Sequence, residues 1–110
     1  MKLSINNIEG TVLRDNEVYT VKDNTNLKNL VLSSTALNPG QQTTGHSHEG
    51  QEEIYFFVSG NGAIQIDNDL YNASAGDVFL IKDGAFHKVF NKSDNEQLYF
   101  VCVFQGKRNH

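Results

Sequence analysis

The chain has 110 residues, 38% hydrophobic and 20% charged, with 13 acidic and 9 basic side chains giving a formal net charge of −4. That balance excludes a disordered or fibrous chain and a nucleic-acid surface, which needs a dense basic stripe; here the one close basic pair is Lys107-Arg108. The longest apolar runs, 54–58 and 98–104, are too short to cross a bilayer, and the lone Cys102 forms no intrachain disulfide, which fits a reducing, cytoplasmic setting. Residues 1–7 lack the apolar stretch of a secretion signal.

Taken in chain order, β-rich runs at 11–13 and 17–21 come first, then stronger ones at 30–37, 54–58, 62–66, 78–81, 87–90 and 98–104. Turn residues separate them: Asn38-Pro39-Gly40, Glu49-Gly50, Gly60-Asn61-Gly62, Asp67-Asn68-Asp69, Ala75-Gly76-Asp77 and Lys82-Asp83-Gly84. Gly60-Asn61-Gly62 lies between two strand-like runs and predicts a tight hairpin. With no sustained helical period, the chain is expected to be all-β and to form one domain over 1–110, either a sandwich or a closed barrel.

Three histidines and a glutamate stand out from this background. In an extended strand His46 and His48 would project side by side on one face, the geometry of two ligands to one ion. Gly50 can turn the chain back so that Glu52 or Glu53 comes opposite them, and His87 opens a later run. Three neutral imidazoles and one carboxylate suit a single divalent transition metal: zinc, iron, manganese, nickel or cobalt.

These residues also sit in a glycine framework. Gly40, five residues, His46-Ser47-His48, four residues, Glu53, six residues and Gly60 make a first motif over 40–60. Gly76, five residues, Lys82-Asp83-Gly84, two residues, His87, three residues and Asn91 make a second over 76–91. Together they resemble the two motifs of the cupin superfamily, in its small one-domain form, with Lys82 standing where the family pattern has proline. The resemblance covers about half the chain. It implies a jelly-roll β-barrel, the choice of Glu53 over Glu52, and His46, His48, Glu53 and His87 as metal ligands.

Four protein ligands on an ion that accepts five or six leave room for a small-molecule ligand or substrate. Reactions known in the family then define the expectations. The leading one is isomerisation or epimerisation of a sugar or sugar phosphate; an iron-dependent dioxygenase, a lyase or decarboxylase, and a non-catalytic ligand-binding protein are the alternatives. Alternation from Glu53 directs Tyr55 and Phe57 inward, with Tyr55 the candidate catalytic proton carrier. Gln42 and Thr44 share the parity of His46 and are candidate substrate contacts, as is Lys82 for an anionic group. Asn91 reads as a turn-fixing residue, Cys102 as a small buried apolar side chain, and His110 as a tail residue. Runs that are apolar on both parities, 56–58 and 99–103, call for a partner on the outer face, so a homodimer is expected.

Overall fold

The structure is a computed structural model and describes residues 1–106; the readings of Lys107, Arg108 and His110 lie outside the described residues. Among the described residues nine strands account for the regular structure: β1 Thr11–Asp15, β2 Tyr19–Asn24, β3 Leu30–Leu37, β4 Glu53–Ser59, β5 Asn61–Ile66, β6 Asp69–Ser74, β7 Val78–Ile81, β8 His87–Asn91 and β9 Leu98–Gln105. All strand pairs are antiparallel. They form a six-stranded sheet in the order β1-β2-β3-β9-β4-β7 and a three-stranded sheet in the order β6-β5-β8. The fold is the double-stranded β-helix, or jelly roll. Among the described residues no helix is long and apolar enough to cross a membrane.

The sheets close on one apolar core. Leu37 from β3, Ile64 from β5, Val89 from β8 and Leu98 and Phe104 from β9 are all at most 1% exposed. Strand β4 shows the pleat that builds this interior. Glu53, Tyr55 and Phe57 are buried, whereas Ile54 is exposed and Phe56 and Val58 are half-buried.

Three expectations need correction. No hairpin forms at Gly60, because β4 and β5 belong to different sheets. The chain crosses there at a positive φ of 93°, and a side chain on Gly60 would stand 2.9 Å from the Leu98 Cα, so glycine is required by the crossing as well as by φ. The hairpin instead joins β5 and β6 through Asp67, itself in the left-handed region at φ 51°. Second, His46 and His48 lie on no regular strand. Residues 41–46 run beside β8 as an interrupted edge: the Asn91 amide donates to the Gln41 carbonyl, that of Thr43 to Val89, and His46 and His87 exchange two backbone bonds. The Val89 amide donates to the Thr43 hydroxyl at 3.0 Å, so a side chain replaces the backbone carbonyl of a regular ladder. Third, the outer face of the large sheet is partly covered by the chain itself. Ile8 is 2% exposed, and Leu3, Ile5 and Ile8 border a hollow with Leu32, Phe56 and Val101. The Tyr99 hydroxyl anchors this arm by donating to the Ile5 carbonyl at 2.8 Å. Leu30, Ile54, Val78 and Leu80 stay exposed beyond it.

Candidate metal centre

The His/Glu group is assembled from three pieces of backbone: the loop carrying His46 and His48, the start of β4 and the start of β8. His87 is the first residue of β8, and His46 is its bridge partner across the interrupted edge. His48 lies two residues on, where its carbonyl accepts a bond from the Gly84 amide at 2.9 Å and so ties the loop to the β7–β8 turn. The Gly50 amide donates to Asp83 Oδ1 at 2.7 Å, a second tie to the same turn, and Gly50 takes a φ of 85°. Gly45 leaves room for the Phe86 ring, whose Cε1 would be 2.7 Å from any side chain there. Glu53 opens β4, facing inward between Ile81 on β7 and Phe104 on β9.

The result is a tight cluster. The His46 ring centroid is 4.5 Å from both His48 and His87, and His48 and His87 are 6.1 Å apart. Glu53 Oε2 meets His87 Nε2 at 2.9 Å, with both side chains 3% exposed. The Nε2 atoms of all three histidines and Oε2 of Glu53 are shielded from solvent.

Hydrogen bonding on the far side of two rings sets their chemistry. His46 Nδ1 lies 3.0 Å from the Thr44 carbonyl and His87 Nδ1 lies 3.2 Å from the Ala85 carbonyl. A carbonyl oxygen accepts and never donates, so both Nδ1 atoms carry hydrogen, and such a ring when neutral keeps its lone pair on Nε2. Burial, together with the nearby charges of His87 and His48, outweighs the Thr44 bond and Glu53 and pushes His46 down to about 4. His46 is therefore neutral at pH 7, as a metal ligand must be.

For His87 the consequence is sharper. A neutral His87 would present a lone pair to a carboxylate oxygen 2.9 Å away, an arrangement that needs a shared cation, either a proton on the ring or a metal ion. Two donors each ~2.1 Å from one ion and at right angles around it stand about 3 Å apart, so this spacing suits a shared ion. Among the described residues no group of three or more His, Cys, Asp or Glu side chains is already spaced to hold an ion. The donor set and its outer hydrogen bonds nevertheless fit a divalent transition metal.

The cluster opens on a cavity of about 360 Å³ whose wall includes His46, Glu53, Tyr55 and Thr44. Tyr55 is 7% exposed, stacks on Phe100 at 5.5 Å and meets His87 edge-on at 5.7 Å. The other three candidate contacts lie elsewhere. Phe57 shares the inward parity but sits four residues along β4, in the apolar core against Phe79 and Phe100. Gln42 is exposed at the interrupted edge, bridging Phe90. Lys82 is exposed and lines a second hollow, with Leu30, Glu52, Ile54 and Leu80, which meets the first cavity only at Glu53. Sequence reasoning missed Arg14, Tyr19, Ser33 and Thr35, which line the cavity from β1, β2 and β3. Their strands show alternation, but nothing in one sequence says that this face closes over the histidines.

The cupin domain family model matches residues 34–104. An oxalate-binding protein of Thermotoga maritima is 34% identical over 67 residues, covering 61% of this chain and 54% of that protein. An uncharacterized protein of Methanocaldococcus jannaschii is 29% identical over 79 residues, covering 72% and 62%. The chain thus spans little more than half the length of these relatives. Among solved structures, a predicted oxalate decarboxylase from Thermotoga maritima superposes with a TM-score of 0.78 at 24% identity, covering 96% of this chain and 98% of the other. KdgF from a Halomonas species gives 0.79 at 17% identity, covering 90% and 88%. At these identities the superpositions speak for the fold.

Proposed function

The chain belongs to the cupin family, and from that premise we propose that His46, His48, Glu53 and His87 hold one divalent transition metal and that a small, oxygen-rich molecule binds beside it in the cavity. The contact between Glu53 Oε2 and His87 Nε2 supports the reading: these two buried groups at 2.9 Å share a cation, a ring proton in the metal-free protein that a metal ion bound beside both atoms would displace. When bound, such an ion supplies Lewis-acid polarisation of a ligand oxygen. The chain's own residues do the rest. Ala85 and Thr44 carbonyls hold two imidazoles in the ligating tautomer, while Phe100 fixes the Tyr55 ring.

The wall favours holding the molecule. Beyond the cluster it offers the hydroxyls of Thr35 and Thr44, which donate and accept hydrogen bonds but make poor bases. The oxalate-binding relative is consistent with a compact, oxygen-rich ligand. A second reading, isomerisation, draws on Tyr55, whose place in the same wall suits a proton carrier.

Elemental analysis of protein purified without added metal or chelator, beside His87→Ala, tests the site. The expected result is about one ion per parent chain and a near-complete loss in the variant, which should stay folded because a domain of this size builds its own core. Stoichiometric metal in folded His87→Ala would refute the ligand set. Oxygen uptake with iron, or conversion of a sugar phosphate with zinc or manganese, would replace binding by turnover.

A further inference from the structure

Strand β1 carries an irregularity that its hydrophobic pattern does not explain. Thr11 pairs with Asp23 and Val12 with Lys22, but the next pair is Arg14 with Val21, followed by Asp15 with Thr20. Leu13 is skipped: in an unbroken register it would stand opposite Val21. Side chains of directly paired residues share a face of the sheet, and Val21 is 5% exposed and lines the cavity. The bulge therefore sets Arg14 on the cavity face and leaves Leu13 to a different hollow beside Asp23 and Val31, both side chains being exposed like the rest of β1. Core packing would have favoured the leucine there.

Arg14 duly lines the same cavity as His46 and Glu53, together with Tyr19, Thr35 and Tyr55. It is the one permanently cationic side chain in that lining among the described residues, on a chain of net charge −4. The ion pair of the cluster, Glu53 with His87, leaves it aside. A guanidinium presents a rigid fork of donors that matches two oxygens of one carboxylate or phosphate, and at a cavity mouth it also draws in anions. We propose that Arg14, placed by the β1 bulge, is the specificity-determining residue that grips an oxyanion group on the molecule entering the cavity. The assignment rests on the ligand-site reading above and adds the charge of the molecule and the residue that reads it.

The test is calorimetric titration of the full chain, metal-free and metal-loaded, with oxalate, inorganic phosphate and neutral oxamide. Two variants accompany the parent: Arg14→Gln, and the exchange Leu13→Arg/Arg14→Leu, which preserves composition and net charge. Loss of a charge-assisted hydrogen-bonded pair is expected to weaken oxyanion binding about 10- to 100-fold in both variants, with oxamide binding and metal content unchanged. Dependence with oxalate identifies a carboxylate, and dependence with phosphate alone identifies a phosphoryl group. Anion affinities equal to the parent's in both variants, or no anion binding by the parent, would overturn the proposal. Metal content is read separately: a parent that takes up no metal refutes the metal site, while the Arg14 dependence is still measured on the metal-free protein.

Discussion

Asn91, the last residue of the second motif, offers the most quantitative prediction. It is 4% exposed, and its Nδ2 donates toward the carbonyls of Leu37 at 2.9 Å, Asn38 at 3.1 Å and Glu96 at 2.8 Å, while its Oδ1 accepts from the Ser93 amide at 3.0 Å. Two N–H groups serve three carbonyls, so the side chain amounts to two donated bonds and one accepted. At about 1 kcal/mol net per bond, Asn91→Ala should cost about 3 kcal/mol, because it frees the buried Leu37 carbonyl and the partly buried Asn38 and Glu96 carbonyls where β3, β8 and the entry to β9 meet. For a chain of this size that lowers Tm by about 10–15 °C, and a urea midpoint by roughly 1–3 M with an unchanged slope. Asn91→Asp keeps the size and the Ser93 acceptor but turns a carboxylate on three carbonyl oxygens, so it should fall at least as far as the alanine variant. Metal content should be untouched, since none of these bonds reaches the histidines. An alanine variant within 1 kcal/mol of the parent, or an aspartate variant matching it, would refute this account.

Glu53→Gln should weaken metal retention in a chelator competition more than the 10- to 100-fold typical of losing an outer-shell partner, whereas exposed Glu52→Gln should leave it unchanged; the reverse order would mean that β4 is read in the wrong register. Acid should destabilise the metal-free protein through His46. Its folded value near 4 lies below the ordinary 6.5, so the unfolded chain takes the proton first; stability from this group is full above about pH 6.5 and lost progressively toward pH 4. Urea melts across that window should show a shallower slope with pH in His46→Gln, and an unaltered slope would remove His46 as the cause.

The strand pattern was legible because most strands bury one face: Glu53, Tyr55 and Phe57 alternate with Ile54 and Phe56 in the sequence as they do in the barrel. The run at 69–74 escaped notice because four of its six residues are exposed and no apolar alternation marks it. Gly60-Asn61-Gly62 misled for a physical reason. A glycine pair between two runs serves a tight hairpin or a crossing between sheets equally well, and the choice depends on the distant Gln97 and Leu98 backbone that packs against Gly60. Phe57 and Gln42 show the limit of parity, which says which face a residue takes but not how far along the barrel it lies.

The sequence by itself determined the all-β class, the His46/His48 pair and the turn-fixing part played by Asn91, because each depends on residue type and short separations along the chain; the grouping of Glu53 and His87 with that pair came from the resemblance to the two cupin motifs. Tertiary structure decided which sheet each strand joins, that residues 3–8 cover part of the outer face, and that β1, β2 and β3 wall the cavity that His46 and Glu53 line. It also decided that Arg14 and not Leu13 faces that cavity, since a bulge is a property of two strands paired across a sheet and one strand alone carries no register.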